Sequence, residues 1–218
     1  NQMRGTDLVA QTLKAAGVNT VFTMSGNQIM IVFDACLEAD VKLVHIRHEA
    51  AAVHMADCWA RLTGGIGVAL VPAGPAFTNA ISALYTAGMS ESPVLLLTGH
   101  APTDRIGWGA FQEMNQVDMA KPLVKHSAVV MEAKEFGPAI AEAVRIALSG
   151  RPGPVHVSLP FDLLNETVEG GVIPGADAFM AEDAPMEEAD ARAVADAIAA
   201  AKKPMLLGGP LLASHHSA

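Results

Sequence analysis

Apolar positions in this chain recur at two spacings, and the two alternate from end to end. From Thr6 to Ala16, the residues Leu8, Val9, Thr12, Leu13 and Ala16 share one helical face, and Gly17 stops the helix. Asn19 to Met24 is a short strand-like run. Gln28 to Leu37 then reads as a helix, Leu43 to Ile46 as a strand and Ala50 to Leu62 as a helix. "IGVALVP", Ile66 to Pro72, is a nearly unbroken apolar strand. "AFTNAISALYTAGM" is helical, and "PVLLLTG" is a second wholly apolar strand. Lys134 to Leu148 sets Phe136, Ile140, Val144 and Ala147 on one helical face, and "GPVHVSLP" closes the series as a strand.

Strands without polar alternation are covered on both faces. Interleaved with helices, they imply right-handed crossovers and a parallel sheet. The expected fold class is therefore α/β: a doubly wound, mostly parallel six-stranded sheet with helices on both faces, over residues 1–168. Beyond it the composition shifts to Gly, Pro and acid, so 169–188 is expected to be a linker. A helix from Ala191 to Ala201 and a strand and Gly-rich turn in "KPMLLGGPLL" follow. One helix and one strand bury no core of their own. Residues 189–218 are expected to be the truncated beginning of a second α/β domain.

Charge and composition narrow the chemistry. A formal net charge of −9 gives no basic excess to replace the counterions of a nucleic acid, so no nucleic-acid partner is expected. No apolar run reaches the roughly 18 residues of a membrane helix without Gly or Pro, and the N-terminus shows no secretory pattern. A soluble, cytoplasmic protein is expected. Cys36 and Cys58 lack CxxC spacing and are expected as reduced core residues. The eight histidines show no metal-ligand spacing, so no metal site is expected within the chain; His45 and His156 read as satisfied strand residues. No serine lies in a Gly-x-Ser-x-Gly context.

An open parallel sheet binds ligands beyond the carboxyl ends of its strands. Those ends here carry "TMSGNQ" (Thr23 to Gln28), Glu49, "PAGPAFTN" (Pro72 to Asn79) and the long loop Gly99 to Gln116. Each has a bland reading. Gly26 and Gly74 can serve tight turns, and Asn79 can cap its helix. His54, Asp57 and Arg61 can form a solvated stripe with an Asp57–Arg61 pair, or a subunit interface. Glu49 can be a helix N-terminal carboxylate in water, favoured by the dipole. The sharper reading starts from Ala50, Ala51 and Ala52, which leave room for close packing. A carboxylic acid kept dry at a strand end can exchange a proton with a ligand nitrogen.

The ordered set "GVNTVFTMSGN", "RHEAAAVHMADCWARLTG", "GPAFTN", "FQEMNQVDMAKPLVKHS" and "RPGPVHVSLPFDLL" resembles the N-terminal pyrimidine-binding domain of thiamine-diphosphate enzymes, in the acetolactate synthase-like branch. The resemblance implies that Glu49 hydrogen-bonds N1′ of the cofactor's aminopyrimidine and favours its imino tautomer. This readies the thiazolium for attack on a 2-keto acid, which then loses CO2. It also implies that Met24, Ser25, Gly26, Pro75 and Asn79 contact the cofactor, and that Gln112 acts at the reaction centre. Asn27, Phe77 and Phe111 would line the substrate pocket. Ser25-Gly26-Asn27 stands where the family usually has Pro-Gly-Gly, and Ala76-Phe77 where it has Gly-Ala. The absence of paired histidines before Phe111 argues against the pyruvate decarboxylase branch, and Glu49 against the glyoxylate carboligase branch.

The resemblance places the diphosphate and Mg²⁺ in a C-terminal domain whose Gly-Asp-Gly motif is absent from this sequence. FAD in the central domain is compatible with it. It implies a homodimer or homotetramer with the active site between subunits. The chain alone is expected to be inactive, as a fragment or as half of a split enzyme. Two other readings stay open. One is a non-catalytic interaction domain, favoured by an apolar patch at Met24, Met89 and Met114. The other is an acyl-CoA lyase or decarboxylase using the same cofactor.

Overall fold

The computed structural model describes residues 2–181 and 185–209. In chain order the elements are β1 (Gln2–Arg4), α1 (Gly5–Ala15), β2 (Thr20–Thr23), α2 (Met30–Glu38), β3 (Lys42–His45) and α3 (Glu49–Thr63). Next come β4 (Gly67–Val71), α4 (Pro75–Met89), β5 (Val94–His100), α5 (Gln116–Ala120), β6 (His126–Val129) and α6 (Phe136–Leu148). The series ends with β7 (Val155–Pro160), α7 (Phe161–Asn165), β8 (Thr167–Glu169) and α8 (Glu188–Ala200).

The main sheet has six strands in the order β3-β2-β4-β5-β7-β6. Every neighbouring pair is parallel. The α/β expectation is borne out, and its cause is visible in the side chains. Along β5, Leu95 and Leu97 point into one core with α1, α2 and α6, while Val94 and Leu96 point into a second core with α3 and α4. Both faces are covered, so both sets of positions are apolar. The second core is made close by alanines: Ala52 and Ala56 of α3 and Ala80, Ala83 and Ala87 of α4 are all buried in it. A Cβ at Gly67 would sit 1.9 Å from the Ala56 carbonyl oxygen, so only glycine lets α3 lie this near β4.

After β2 the chain passes to one side of the sheet, and after β3 it returns to the other side of β2 to form β4. This switch point puts the loop after β2 beside the loop after β4, where a crevice is expected. A Cβ at Gly26 would meet Pro72 Cγ at 2.2 Å, so the two loops are in tight contact.

Several details depart from the sequence reading. β6 was not visible as an apolar run, and all four of its residues are only partly buried. The segment expected as a linker is docked in its first part. β8 pairs antiparallel with β1, and Val168 and Phe179 are buried in the first core. Residues 203–209 form no strand, and the rest of "KPMLLGGPLL" lies outside the described residues. α8 forms as expected but buries no residue. Cys36 is in the core, where burial pushes its thiol up to about 12, but Cys58 is exposed. Asp57 is not on a solvated face. It is buried, and its Oδ1 takes a hydrogen bond from Arg61 Nε at 2.9 Å. No helix among the described residues is long and apolar enough to cross a membrane.

Candidate active site

Glu49 is the first residue of α3, directly beyond the carboxyl end of β3. His48 forms the N-cap, its ring Nδ1 accepting the Ala50 N–H at 3.2 Å, so this histidine has a structural task. Glu49 is 8% exposed. Its Oε2 accepts a hydrogen bond from Asn79 Nδ2 at 2.9 Å, while Oε1 takes none from the described residues. Asn79 is held out by α4, which begins at the end of β4. The starts of two helices on one face of the sheet, α3 and α4, thus bring a shielded carboxylate and an amide together beside the switch point.

The turn that starts α4 is fixed from below. Gly74 has φ +59° and caps the helix, with Pro75 as the first helical residue, where its missing N–H costs nothing. The Gly74 N–H donates to Gln116 Oε1 at 2.9 Å. The Gln116 amide nitrogen faces Thr98 Oγ1 at 2.9 Å, Ser158 Oγ at 2.9 Å and the Gly99 carbonyl at 3.1 Å. Thr98 Oγ1 is 2.9 Å from His156 Nε2, and Ser127 Oγ is 2.8 Å from His156 Nδ1. Burial, aided by His100 and His126, lowers the His156 pKa to about 3, so its ring is neutral near pH 7. Thr98, His156 and Ser158 sit within buried strands, and with Gln116 and Ser127 they satisfy one another.

Gln112 lies on the long loop after β5. Its φ is +60°, unusual for a residue with a side chain. A Cβ on Gly74 would meet the Gln112 carbonyl oxygen at 2.6 Å, so the loop is pressed onto the turn of α4. Gln112 Oε1 accepts from Gln28 Nε2 at 3.0 Å. Next in sequence, the Glu113 carboxylate accepts backbone N–H groups of Gly107 and Ala110, which hold its pKa below the usual carboxylate range. This closes the loop on itself and leaves Trp108 and Phe111 exposed.

The expected residues therefore fall into groups. Glu49 and Asn79 are in direct contact, and Pro75 adjoins them at the start of α4. Gly26 touches the β4 loop, Met24 packs partly into the second core, and Ser25 and Asn27 are exposed. Gln112 abuts Gly74. Phe77 does not join them: it is fully buried, with its ring centroid 5.1 Å from that of His156. It stiffens the floor beneath the turn and offers no surface to a ligand. The apolar patch expected for an interaction domain is not continuous either, because Met24 and Met114 pack into the second core and only Met89 is exposed. Gln28 and Gln116 close two of the strand-end segments, but nothing in the sequence singles them out from their neighbours. A signal existed for the latter's partners in the polar Thr98, His156 and Ser158 of otherwise apolar strands.

Comparison with known families decides what this arrangement belongs to. Residues 3–119 match the family described as thiamine pyrophosphate enzyme, N-terminal TPP binding domain. The chain belongs to this family. This thiamine pyrophosphate-binding domain is 44% identical over 160 residues to the 2-hydroxyacyl-CoA lyase 2 of Danio rerio, covering 73% of the chain and 26% of that protein. It is 43% identical over 164 residues to the acetolactate synthase isozyme 3 large subunit of Escherichia coli, covering 75% of the chain and 29% of that protein. With the acetolactate synthase large subunit of Parasynechococcus marenigrum it shares 38% over 224 residues, covering 97% of the chain and 36% of that protein. The chain thus spans about a quarter to a third of the length of these relatives.

Proposed function

We propose that this domain contributes the aminopyrimidine-binding, proton-handling part of an active site for thiamine-diphosphate chemistry on 2-keto acids, with decarboxylation and carboligation of the acetolactate synthase type. The observation that carries the reading is Glu49: shielded from water, anchored through one oxygen by Asn79, and without a hydrogen bond at the other among the described residues. That donor set fits a heterocyclic nitrogen that must share a proton. The cofactor, when bound, supplies a carbon nucleophile that adds to the keto group and stabilises the charge left as CO2 departs.

The chain's own residues bind and orient. Glu49 holds a proton at N1′ of the aminopyrimidine, and Asn79 keeps the carboxylate from turning away. Pro75, Met24, Ser25 and Gly26 bound the ring at the switch point. Gln112 faces the reacting atoms, with Asn27 and Phe111 nearer the substrate. Mg²⁺ and the diphosphate are assigned to a part of the enzyme beyond this chain, and the site to the junction between subunits of a cytoplasmic homodimer or homotetramer. FAD in a central domain belongs to the same reading.

A second reading, an acyl-CoA lyase, is favoured by the 44% identity to a protein named 2-hydroxyacyl-CoA lyase 2, beside 43% and 38% to the synthases. Offering the full-length protein pyruvate and a 2-hydroxyacyl-CoA in parallel separates the two by which is consumed. In either case Glu49→Gln is expected to lower turnover by roughly 10²–10⁴-fold. Its melting temperature should stay close to wild type, because the new amide carbonyl still accepts from Asn79. Near wild-type turnover in that variant would sink the proposal.

A further inference from the structure

We infer that Gln28 is a positioning residue that sets which end of the Gln112 amide faces the open side of the site. The inference rests on the reading of Gln112 as a residue of the reaction centre. Gln28 lies near the end of the loop after β2 and is only 6% exposed. Its stem is clamped: a Cβ at Gly99 would lie 2.7 Å from Gln28 Cβ, and the following residue, Ile29, is fully buried. From this fixed base Gln28 Nε2 donates to Gln112 Oε1 at 3.0 Å. The bond occupies the carbonyl end of Gln112. The amino end has no partner among the described residues, and Gln112 is partly exposed. The site is thereby offered N–H donors in place of a carbonyl. Such donors suit a carboxylate or carbonyl oxygen of the substrate.

Stability does not explain this contact. Gln28 Oε1 is buried without a hydrogen-bond partner among the described residues, and Gln112 holds a left-handed backbone at φ +60°. Both features cost folding free energy, and both converge on a single hydrogen bond. Departures from local stability that meet at one point mark a geometry kept for its use.

The variant Gln28→Leu removes the donor and the orphaned acceptor together. The melting temperature of the full-length protein is expected to hold or rise. Turnover of pyruvate with thiamine diphosphate and Mg²⁺, followed by CO2 release, is expected to fall by roughly tenfold to a hundredfold. In a Gln112→Leu background the same change should cost nothing more. A second readout needs no turnover. In ¹⁵N-glutamine-labelled protein, the side-chain amide protons of Gln28 should exchange slowly with solvent and those of Gln112 fast. Slow exchange at Gln112 overturns the inference. So does full turnover in Gln28→Leu when Gln112→Leu is impaired, and this leaves the reading of Gln112 intact. Full turnover in Gln112→Leu removes that reading and the inference with it.

Discussion

His156 shows how a single buried group writes itself into the pH dependence of the whole domain. Its pKa is lowered to about 3 in the folded protein, first by burial and then by His100 and His126. In the unfolded chain an ordinary histidine titrates near 6.5. Between those values the unfolded state binds a proton that the folded state refuses. The contribution is therefore fully present above about pH 6.5 and is lost as the pH falls toward 3. The slope is at most about 1.4 kcal/mol per pH unit. Urea denaturation between about pH 6 and pH 5, above the range of most carboxylates, should show stability dropping with acid. His156→Gln should be less stable at neutral pH, through lost contacts with Thr98 and Ser127, yet have a flatter profile over the same window. An unchanged slope would mean that His156 is not the group responsible.

The start of α4 is where several elements are made to agree. Gln116 at the start of α5 takes the Gly74 N–H, and the Gln112 carbonyl closes on the same glycine from the loop. Gln116→Leu leaves a buried N–H without an acceptor, at a cost of roughly 1–3 kcal/mol. Gly74→Ala forces a side chain onto φ +59° and against the Gln112 carbonyl, at a similar cost. Both changes act on one turn, so the double variant should lose less than the sum, as measured by urea denaturation. Strict additivity would show that the two contacts are independent. This turn also marks what could be read from the chain alone. Runs such as "VLLL" in β5 declare a strand buried on both faces, and Glu49 stands out because a carboxylate follows an apolar strand. β6, "HSAV", and the three-residue strands β1 and β8 carry no such pattern, because an edge strand need not be apolar and a short one has no period. Contacts such as Gln28–Gln112 join residues 84 positions apart, and only the crossing order of the sheet brings them together.

At the scale of the molecule, the edge of the folded unit lies later than composition suggests. Gly, Pro and acidic residues after Glu169 look like a linker, but the segment is drawn back onto the first core. The Val172 carbonyl approaches Gly137 so closely that a Cβ there would be 2.3 Å away, and Gly171 lies against Leu8 in the same manner. Phe179 is buried at the end of this strap, and β8 pairs with β1. Burying a phenylalanine and a valine stabilises by roughly 1.5–3 kcal/mol each, partly offset by the entropy of ordering the strap. α8, by contrast, buries no residue. A chain ending at Ala181 should therefore melt within about a degree of the 218-residue chain, while one ending at Asn165 should melt on the order of 10 °C lower. Phe179→Ala, a gentler change, should cost about 3 kcal/mol. Equal melting temperatures for the Ala181 and Asn165 truncations would place the boundary at the end of α7 and reduce the strap to a passive tether. A loss on removing α8 would instead mean that its outer apolar residues, Val194 and Ile198, are covered in solution by contacts beyond those of the folded unit.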